Sequence, residues 1–207
     1  MAEYKFYYFN GRGFGDVSRQ LFKLADVPFE DIRFEKEQWP EMKPKTPFGQ
    51  MPVLELKCGL QIPQSLAIAR YLAKKFGYAG KSDEEAAIVD ALADQFKDFY
   101  SEAKNYYYTK IGFFNYDIEE EKVKTLIPAR DKFLAILTKY LKKSKSGFLV
   151  DGGVTYADLF ISDNMRTLLM WWPQYADEYP EVKEWYKKVD SIPAIRKHIE
   201  ESPNTGF

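Results

Sequence analysis

The stretch that decides the fold is TPFGQMPVLELKCGLQIPQSLAIARYLAKKFG, residues 46–77. Within it, residues 51–56 and 60–62 are apolar runs of a length typical of strands, and a Lys-Cys-Gly turn joins them. In residues 64–77, apolar side chains then recur at helical spacing. The sequence therefore predicts an antiparallel hairpin followed by an amphipathic helix.

Upstream of the hairpin, the pattern predicts a strand, a helix and a second strand. Residues 4–9 are an aromatic run, residues 11–15 contain three glycines, and residues 17–25 have helical spacing. Residues 29–34 predict the second strand. A strand-helix-strand unit favours a parallel strand pair, to which the hairpin adds antiparallel strands. We therefore expect a small α/β domain with a mixed sheet.

Beyond residue 77 the character of the chain changes. The glycine-containing segment 78–83 has no periodicity and is the predicted linker between a domain at 1–77 and a second domain at 84–207. After it, strand patterns disappear and helical spacing continues, for example over 88–99 and 126–140. The second domain is therefore predicted to be all-helical.

Composition excludes several function classes. The chain has 207 residues with 30 basic and 31 acidic side chains, which gives a formal net charge of −1. No basic excess is present to neutralise phosphates, so we expect no nucleic-acid partner. No apolar run approaches the roughly 20 residues of a membrane span. The first residues resemble neither a signal peptide nor a transit peptide, so we expect a cytoplasmic protein.

The chain contains one histidine and one cysteine. A zinc site with two histidines is therefore impossible, an internal disulfide is excluded, and we expect no metal site. Nucleophile pairs that need a histidine would have to use His198, which we interpret as structural or exposed. Cys58 lies in the predicted hairpin turn, and we interpret it as an incidental thiol.

The first predicted strand ends beside the glycine-containing turn, and both features allow two interpretations. The spacing of Gly11, Gly13 and Gly15 resembles a dinucleotide fingerprint, but its third glycine would have to replace Asp16, so a plain turn is favoured. Tyr7 and Tyr8 close this strand, and a tyrosine hydroxyl there could point into a cleft and donate a hydrogen bond to an anion. On spacing alone, an aromatic side chain filling the core is the commoner case.

Two further positions around the hairpin admit a binding role. Pro52 at a strand start donates no ladder hydrogen bond, and a cis bond there would turn the Met51 backbone toward a cleft. An ordinary edge-strand proline is the alternative. Ser65 opens the next helix, where free N–H groups attract a carboxylate, or it is only the N-cap.

Three acidic residues have a spacing that is unfavourable in an isolated helix. Asp90, Asp94 and Asp98 are spaced at i, i+4 and i+8 on one predicted helix, where like charges repel. Either a cationic group relieves this repulsion, or the three carboxylates form a solvated face.

Taken together, these motifs resemble the cytosolic glutathione transferases. YKFYYFNGRG at 4–13, QWPEMK at 38–43 and the stretch at 46–77 are similar to the sigma class. SGFLVDGGVTYADL at 146–159 and the PNTGF tail are closest to its nematode branch, called nu. The likeness covers nearly the whole chain. It implies a thioredoxin-like N-terminal domain, an all-helical C-terminal domain, a homodimer and glutathione as co-substrate, with no prosthetic group.

The resemblance also implies roles for individual residues. Tyr8 would be catalytic, because its hydroxyl would hydrogen-bond the glutathione sulfur and favour the thiolate. The other residues implied to bind glutathione are Trp39, Lys43, Gly49, Gln50, Met51, Pro52, Gln64, Ser65 and, from the second subunit, Asp98. Candidate residues of a second-substrate pocket are Gly13, Phe14, Tyr100, Tyr106 and Phe207, with core packing as the alternative for both tyrosines. Thr155 and Asp158 match a capping box that serves folding.

One departure from the sigma pattern concerns the reaction. Many sigma enzymes have arginine where this chain has Phe14, so a cation that could assist thiolate formation is missing. The expected function is conjugation of glutathione to electrophilic, mostly apolar small molecules. The alternatives are a prostaglandin isomerase, a carrier of lipophilic ligands or haem, and a structural, crystallin-like protein. Retention of Tyr8, Lys43, Gln64 and Ser65 argues against complete loss of activity.

Overall fold

The computed structural model describes residues 3–203. The N-terminal part consists of β1 (Tyr4–Phe9), α1 (Asp16–Leu24), β2 (Glu30–Phe34), α2 (Trp39–Met42), β3 (Val53–Leu56), β4 (Gln61–Pro63) and α3 (Ser65–Phe76). The helices that follow are α4 (Asp83–Glu102), α5 (Lys104–Lys110), α6 (Ile118–Glu121), α7 (Ile127–Lys143), α8 (Tyr156–Trp171), α9 (Pro180–Asp190) and α10 (Pro193–Glu201). The predicted order of an α/β domain followed by a helical domain is confirmed.

The strands described in residues 3–203 form a mixed sheet in the order β2-β1-β3-β4. β1 and β2 are parallel, whereas β3 is antiparallel to both β1 and β4. The predicted parallel pair and hairpin are therefore both confirmed. β3 begins at Val53, two residues later than predicted, because Pro52 has no N–H to donate to the ladder.

Side chains alternate across β1, and this alternation orients the site. Tyr4 and Phe6 are buried, and the Tyr4 ring contacts Phe22 of α1 at a centroid distance of 5.2 Å. Tyr7 belongs to the opposite face, where its hydroxyl donates to Glu55 at 3.3 Å. With a period of two, Tyr8 shares the face of Tyr4 and Phe6 at the carboxyl end of the strand.

The helical domain is packed around phenylalanine rings. The buried Phe96 ring of α4 lies 5.7 Å from Phe133 of α7 and 5.0 Å from Phe160 of α8. Both pairs are edge-to-face, a geometry worth about 0.5–1.5 kcal/mol per pair beyond the burial of area. These contacts tie three long helices into one core. Among the helices of residues 3–203, none has the length and apolar character needed to cross a membrane.

A buried charge network joins the two parts of the fold. α1 packs against α8 and α10, and His198 of α10 places its Nε2 atom 3.0 Å from the Asp16 carboxylate of α1. Burial alone would raise the pKa of Asp16, but His198 and Arg19 hold it well below its usual range. Of the two interpretations of His198, the structural one is therefore correct, because its side chain is buried.

The capping box at the start of α8 is a hub of hydrogen bonds. The buried Asp158 carboxylate accepts from the Thr155 backbone N–H at 2.8 Å and from its hydroxyl at 2.7 Å. The same carboxylate accepts from the Leu149 N–H at 3.0 Å and from the Trp185 indole at 2.8 Å. One side chain therefore fixes the preceding loop, the helix start and α9.

Replacing this carboxylate should cost more stability than losing the cap hydroxyl. We expect Asp158→Ala to lower the free energy of unfolding by about 3 kcal/mol or more, because it strands several buried donors. Thr155→Ala should cost about 1 kcal/mol. Asp177→Asn, which removes an exposed ion pair with Lys183, is the control and should stay within about 0.5 kcal/mol. Urea unfolding of the three variants measures this order, and equal midpoints for Asp158→Ala and Asp177→Asn would contradict it.

Candidate active site

Tyr8 lies where β1 meets the glycine-containing turn. Its hydroxyl oxygen accepts a hydrogen bond from the backbone N–H of Phe14 at 3.2 Å. A Cβ atom on Gly13 would lie 2.7 Å from that oxygen, and one on Gly15 would lie 2.2 Å from the ring carbon Cδ1. The glycines are therefore required by the close approach of the turn to the tyrosine, and the turn interpretation of this segment is confirmed.

The environment keeps the phenol of Tyr8 protonated. Burial raises its pKa to about 12, although the Phe14 N–H and the Arg19 guanidinium act in the opposite direction. The Arg19 guanidinium carbon lies 5.6 Å from the centre of the Tyr8 ring. Since Phe14 already donates to the oxygen, the O–H proton of Tyr8 remains to be donated elsewhere.

A polar cleft of about 440 Å³ opens on one side of Tyr8. The structure brings together in its lining all but one of the sequence-predicted glutathione residues: Tyr8, Trp39, Lys43, Gly49, Gln50, Met51, Pro52, Gln64 and Ser65. The Met51–Pro52 peptide bond is cis. Lys43 and Lys97 supply positive charge to this cleft.

The start of α3 forms one wall of the polar cleft. Gln64 occupies the N-cap position with φ of 76°, a conformation unusual for a residue other than glycine, and its side chain makes no capping hydrogen bond. Its amide instead donates to Gln50 at 2.9 Å. Ser65 is the first helical residue, so its interpretation as an N-cap is wrong. The N-terminal N–H groups of α3 are left without a side-chain cap, which suits a carboxylate.

A larger cleft of about 920 Å³ opens on the other side of Tyr8. Gly13, Phe14 and Tyr100 line it as expected for a second-substrate pocket, together with Tyr108 and Trp171. The Phe14 and Tyr100 rings lie edge-to-face with centroids 4.7 Å apart. Phe14 thus places an apolar ring in the cleft wall, at the position where many sigma enzymes are expected to have arginine.

Tyr106, another of the expected pocket residues, does not belong to this lining. Tyr106 is buried in the helical core beside Trp171, with ring centroids 6.2 Å apart, because its position on α5 turns it away from the cleft. Core packing, the alternative expected for Tyr106, therefore describes this side chain. Phe207 lies outside the described residues.

The acidic row on α4 divides into two environments. Asp90 and Asp94 both pair with Arg70 of α3, and Asp90 also accepts a hydrogen bond from the Tyr156 hydroxyl. A cationic group within the chain therefore relieves their repulsion. Asp98 is exposed, lies outside the lining of the polar cleft, and has no ion pair with the side chains described in residues 3–203.

Two protein-family models match this chain. The profile described as "Glutathione S-transferase, N-terminal domain" matches residues 4–74, and "Glutathione S-transferase, C-terminal domain" matches residues 92–202. The chain belongs to the glutathione S-transferase family.

Full-length relatives agree with this placement of the glutathione transferase chain. It is 45% identical to "Probable glutathione S-transferase 9" of Caenorhabditis elegans, over 99% of each chain. A Nu-class glutathione transferase of Haemonchus contortus is 47% identical, with a TM-score of 0.92 over 100% of each chain.

Two other solved structures resemble the chain and differ from each other in their descriptions. A monomeric glutathione S-transferase of the hookworm Necator americanus is 44% identical, with a TM-score of 0.96 over 99% of this chain and 100% of that one. A prostaglandin synthase D of Nilaparvata lugens is 35% identical, with a TM-score of 0.84 over 97% of this chain and 98% of that one.

Sequence reasoning missed several groups around the glutathione transferase site. Tyr108 lines both clefts, and Lys97 lines the polar one. Arg19 is buried beneath the Tyr8 ring, although its place on α1 resembles that of a surface arginine. The sequence pattern gave no signal for any of these three residues.

A side chain at position 15 should reduce activity, because the Tyr8 ring and the turn cannot keep their close approach. Gly15 has an ordinary negative φ of −85°, so Gly15→Ala adds only a clash with the ring. We expect turnover with glutathione and a chloronitrobenzene to fall by roughly 10²-fold, as for a misplaced catalytic group. Gly59→Ala, in the β3–β4 turn, is the control: its φ of 85° strains an alanine backbone, but the added carbon meets nothing within 4 Å and does not touch Tyr8. Equal turnover of the two variants would contradict this account.

Proposed function

We propose that the chain is an enzyme that joins the thiolate of glutathione to electrophilic, mostly apolar small molecules. The observation that carries this proposal is the position of the Tyr8 hydroxyl between a polar and an aromatic-lined cleft. A tripeptide thiol in the first cleft and an apolar electrophile in the second would meet at this hydroxyl. The family membership of the chain supports the same reaction.

The phenol of Tyr8 would act as a hydrogen-bond donor to sulfur. Because burial keeps its pKa at about 12, the phenol holds its own proton at neutral pH and cannot serve as a strong base. The thiol proton leaves to solvent, and the Tyr8 O–H donates to the thiolate that remains. Each unit by which this donation lowers the thiol pKa corresponds to about 1.4 kcal/mol. The sulfur then forms a bond to the electrophilic carbon, and the leaving group departs with its electron pair.

The charges of the polar cleft suit the two ends of glutathione. Trp39 and Lys43 would hold the glycine end, where the ammonium of Lys43 faces a carboxylate. Gln64, Ser65 and the uncapped start of α3 would hold the γ-glutamyl carboxylate. Gly49, Gln50, Met51 and Pro52 would form the wall against which the cysteinyl backbone lies.

We divide the chain into a glutathione-binding domain at 1–77, a linker at 78–83 and a helical domain at 84–207. α3 ends at Phe76 with Gly77 in the left-handed region, and α4 begins at Asp83 with Ser82 as its N-cap. The family profiles match on either side of this division. Within the family, we assign the chain to the sigma-like group and its nematode nu branch, and we place it in the cytoplasm.

A homodimer would complete the glutathione site. Asp98 is exposed and makes no ion pair in the part of the chain that the structure describes, although the charge of Lys132 lies close enough to interact with it, so its carboxylate could bind a ligand held by a second subunit. It would bind the γ-glutamyl ammonium there. A related hookworm structure is described as monomeric, so the oligomeric state needs a direct measurement.

The dimer proposal predicts a specific defect in glutathione binding. We expect Asp98→Asn to raise the KM for glutathione about tenfold with little change in kcat, since an ion pair to the substrate is lost. Asp94→Asn, whose carboxylate already pairs with Arg70, is the matched control on the same helix. Sedimentation should give about twice the 24.2 kDa mass of one chain. A monomer that binds glutathione equally well in both variants would contradict the proposal.

A second function is favoured by the size of the aromatic-lined cleft. At about 920 Å³ it could hold a large lipophilic ligand such as haem, and one structural relative is described as a prostaglandin synthase. A carrier or a prostaglandin isomerase are therefore the alternatives. Titration with hemin separates carriage from catalysis, because a carrier would keep submicromolar binding in a Tyr8→Phe variant. A structural, crystallin-like role predicts no turnover by the wild type.

The tyrosine mechanism has a matched control in the adjacent residue. We expect Tyr8→Phe to lower turnover with glutathione and a chloronitrobenzene by about 10–10²-fold, corresponding to about 1.4–2.7 kcal/mol of lost thiolate stabilisation. Tyr7→Phe removes a neighbouring hydroxyl that bonds Glu55 on the other face of the sheet, and should leave turnover within about twofold. If the two variants behave alike, the assignment of Tyr8 is wrong.

A further inference from the structure

The turn that holds Tyr8 is itself held from the helical domain. Its backbone supplies the Phe14 N–H to the Tyr8 oxygen and packs against the ring at Gly13 and Gly15. A displacement of this turn would therefore change the position and hydrogen bonding of the Tyr8 hydroxyl. Three of its five residues are glycines, which offer no side chains to anchor the turn to the helical domain.

Arg12 projects from the middle of this turn into α8. Its Nη1 atom donates to the backbone oxygen of Asp163 at 3.3 Å and lies 3.4 Å from the carboxylate atom Oδ1. Its Nη2 atom donates to the Thr167 hydroxyl at 2.9 Å. Arg12 and Asp163 are 8% and 2% exposed, so this connection is shielded from solvent and salt.

The buried carboxylate of Asp163 is held in charge balance by its surroundings. Arg12 and Arg166 face it, whereas Asp16 and His198 of the neighbouring pair lie close enough to influence it. Burial and the negative charge of Asp16 raise the pKa of Asp163 above its ordinary value, whereas Arg12 and Arg166 act in the opposite direction. Removing Arg12 would therefore favour protonation of Asp163, and the chain would not have to retain an unpaired buried anion.

A direct action of Arg12 on the reacting sulfur does not fit these contacts. The partners of both its terminal nitrogens lie on α8: Asp163, Thr167 and Met170. The cation that lies against the Tyr8 ring is Arg19, which donates to the backbone oxygens of Phe9 and Gly11 at the other end of the turn.

We propose that Arg12 and Asp163 are positioning residues for the glutathione reaction: their buried ion pair fixes the 11–15 turn against helix α8 and so fixes the Tyr8 hydroxyl. This inference rests on the proposed function, because it concerns the same hydroxyl. Through this ion pair, the helical domain would contribute to activation of the glutathione thiol, although Asp163 does not line the polar cleft.

The test measures the thiolate absorbance of bound glutathione as a function of pH, together with kcat and KM. We expect Arg12→Met to raise the apparent pKa of the bound thiol by about one unit, which lowers the rate about tenfold below that pKa. KM for glutathione should change by less than about twofold, since the polar cleft is untouched. Arg12→Lys should recover part of the shift, because it restores the charge.

Two further variants separate positioning from general destabilisation. Asp163→Asn removes the charge with almost no change in shape, and should raise the thiol pKa in the same direction. Arg130→Met is the matched control, because Arg130 is 6% exposed, pairs with Asp131 and Glu178, and lies on α7 away from the turn. It should lose stability without a shift of the thiol pKa.

The results overturn the proposal if Arg12→Met and Asp163→Asn both keep the wild-type thiol pKa, or if Arg130→Met shifts it equally. Failure of the proposed function gives a different result. In that case wild type and Tyr8→Phe bind glutathione with the same thiol pKa, or bind no glutathione. A shift in Tyr8→Phe without a shift in the Arg12 and Asp163 variants rejects this inference alone.

Discussion

The contact between Tyr8 and the glycine turn is the constraint on which the site depends. The Phe14 N–H donates to the tyrosine oxygen at 3.2 Å, and the backbone at Gly13 and Gly15 lies where any side chain would overlap the ring. The hydrogen bond from Phe14 occupies an acceptor position on the oxygen and leaves the O–H free to donate. The close packing of the two glycines fixes the ring and therefore the direction of that O–H. Both clefts open at this point, so the geometry of any reaction between their contents is set here.

Electrostatics in this fold separate a reacting region from a supporting one. The polar cleft contains Lys43 and Lys97 near the surface, where a charged tripeptide can approach. The supporting charges are more deeply buried: Arg12 with Asp163 and Asp16 with His198 join the two domains, and Arg19 pairs with Asp31 inside the first. A buried ion pair adds little net stability to a fold, but it does fix geometry when its groups are fully hydrogen-bonded. The single histidine of the chain serves this support and not the chemistry.

Much of the fold follows from pattern, and the reasons are local. The aromatic run of β1 predicts a buried strand, and the spacing of apolar residues in α3 predicts an amphipathic helix. Pro52 marks the start of β3, because proline cannot donate to the ladder. The polar-cleft residues could be assigned only by family resemblance. Ser65, for example, reads equally well as a cap, and the structure gives the cap position to Gln64.

What could not be predicted depends on side chains distant in sequence. Tyr106 and Tyr108 are two residues apart on α5, yet one is buried in the core and the other lines both clefts. Arg12 meets Asp163 across 151 positions of sequence, and Arg70 neutralises two carboxylates of another helix. No rule based on residue spacing predicts such contacts, because they depend on how α4, α5 and α8 pack against the first domain.

The central claim is that Tyr8 donates a hydrogen bond to the sulfur of glutathione from within this turn. A crystal structure of the protein with glutathione bound tests it most directly. We expect the sulfur within hydrogen-bond distance of the Tyr8 oxygen, the Phe14 N–H still bonded to that oxygen, and the sulfur facing the cleft walled by Phe14 and Tyr100. A sulfur that contacts another side chain, with Tyr8 turned away from it, would contradict the account.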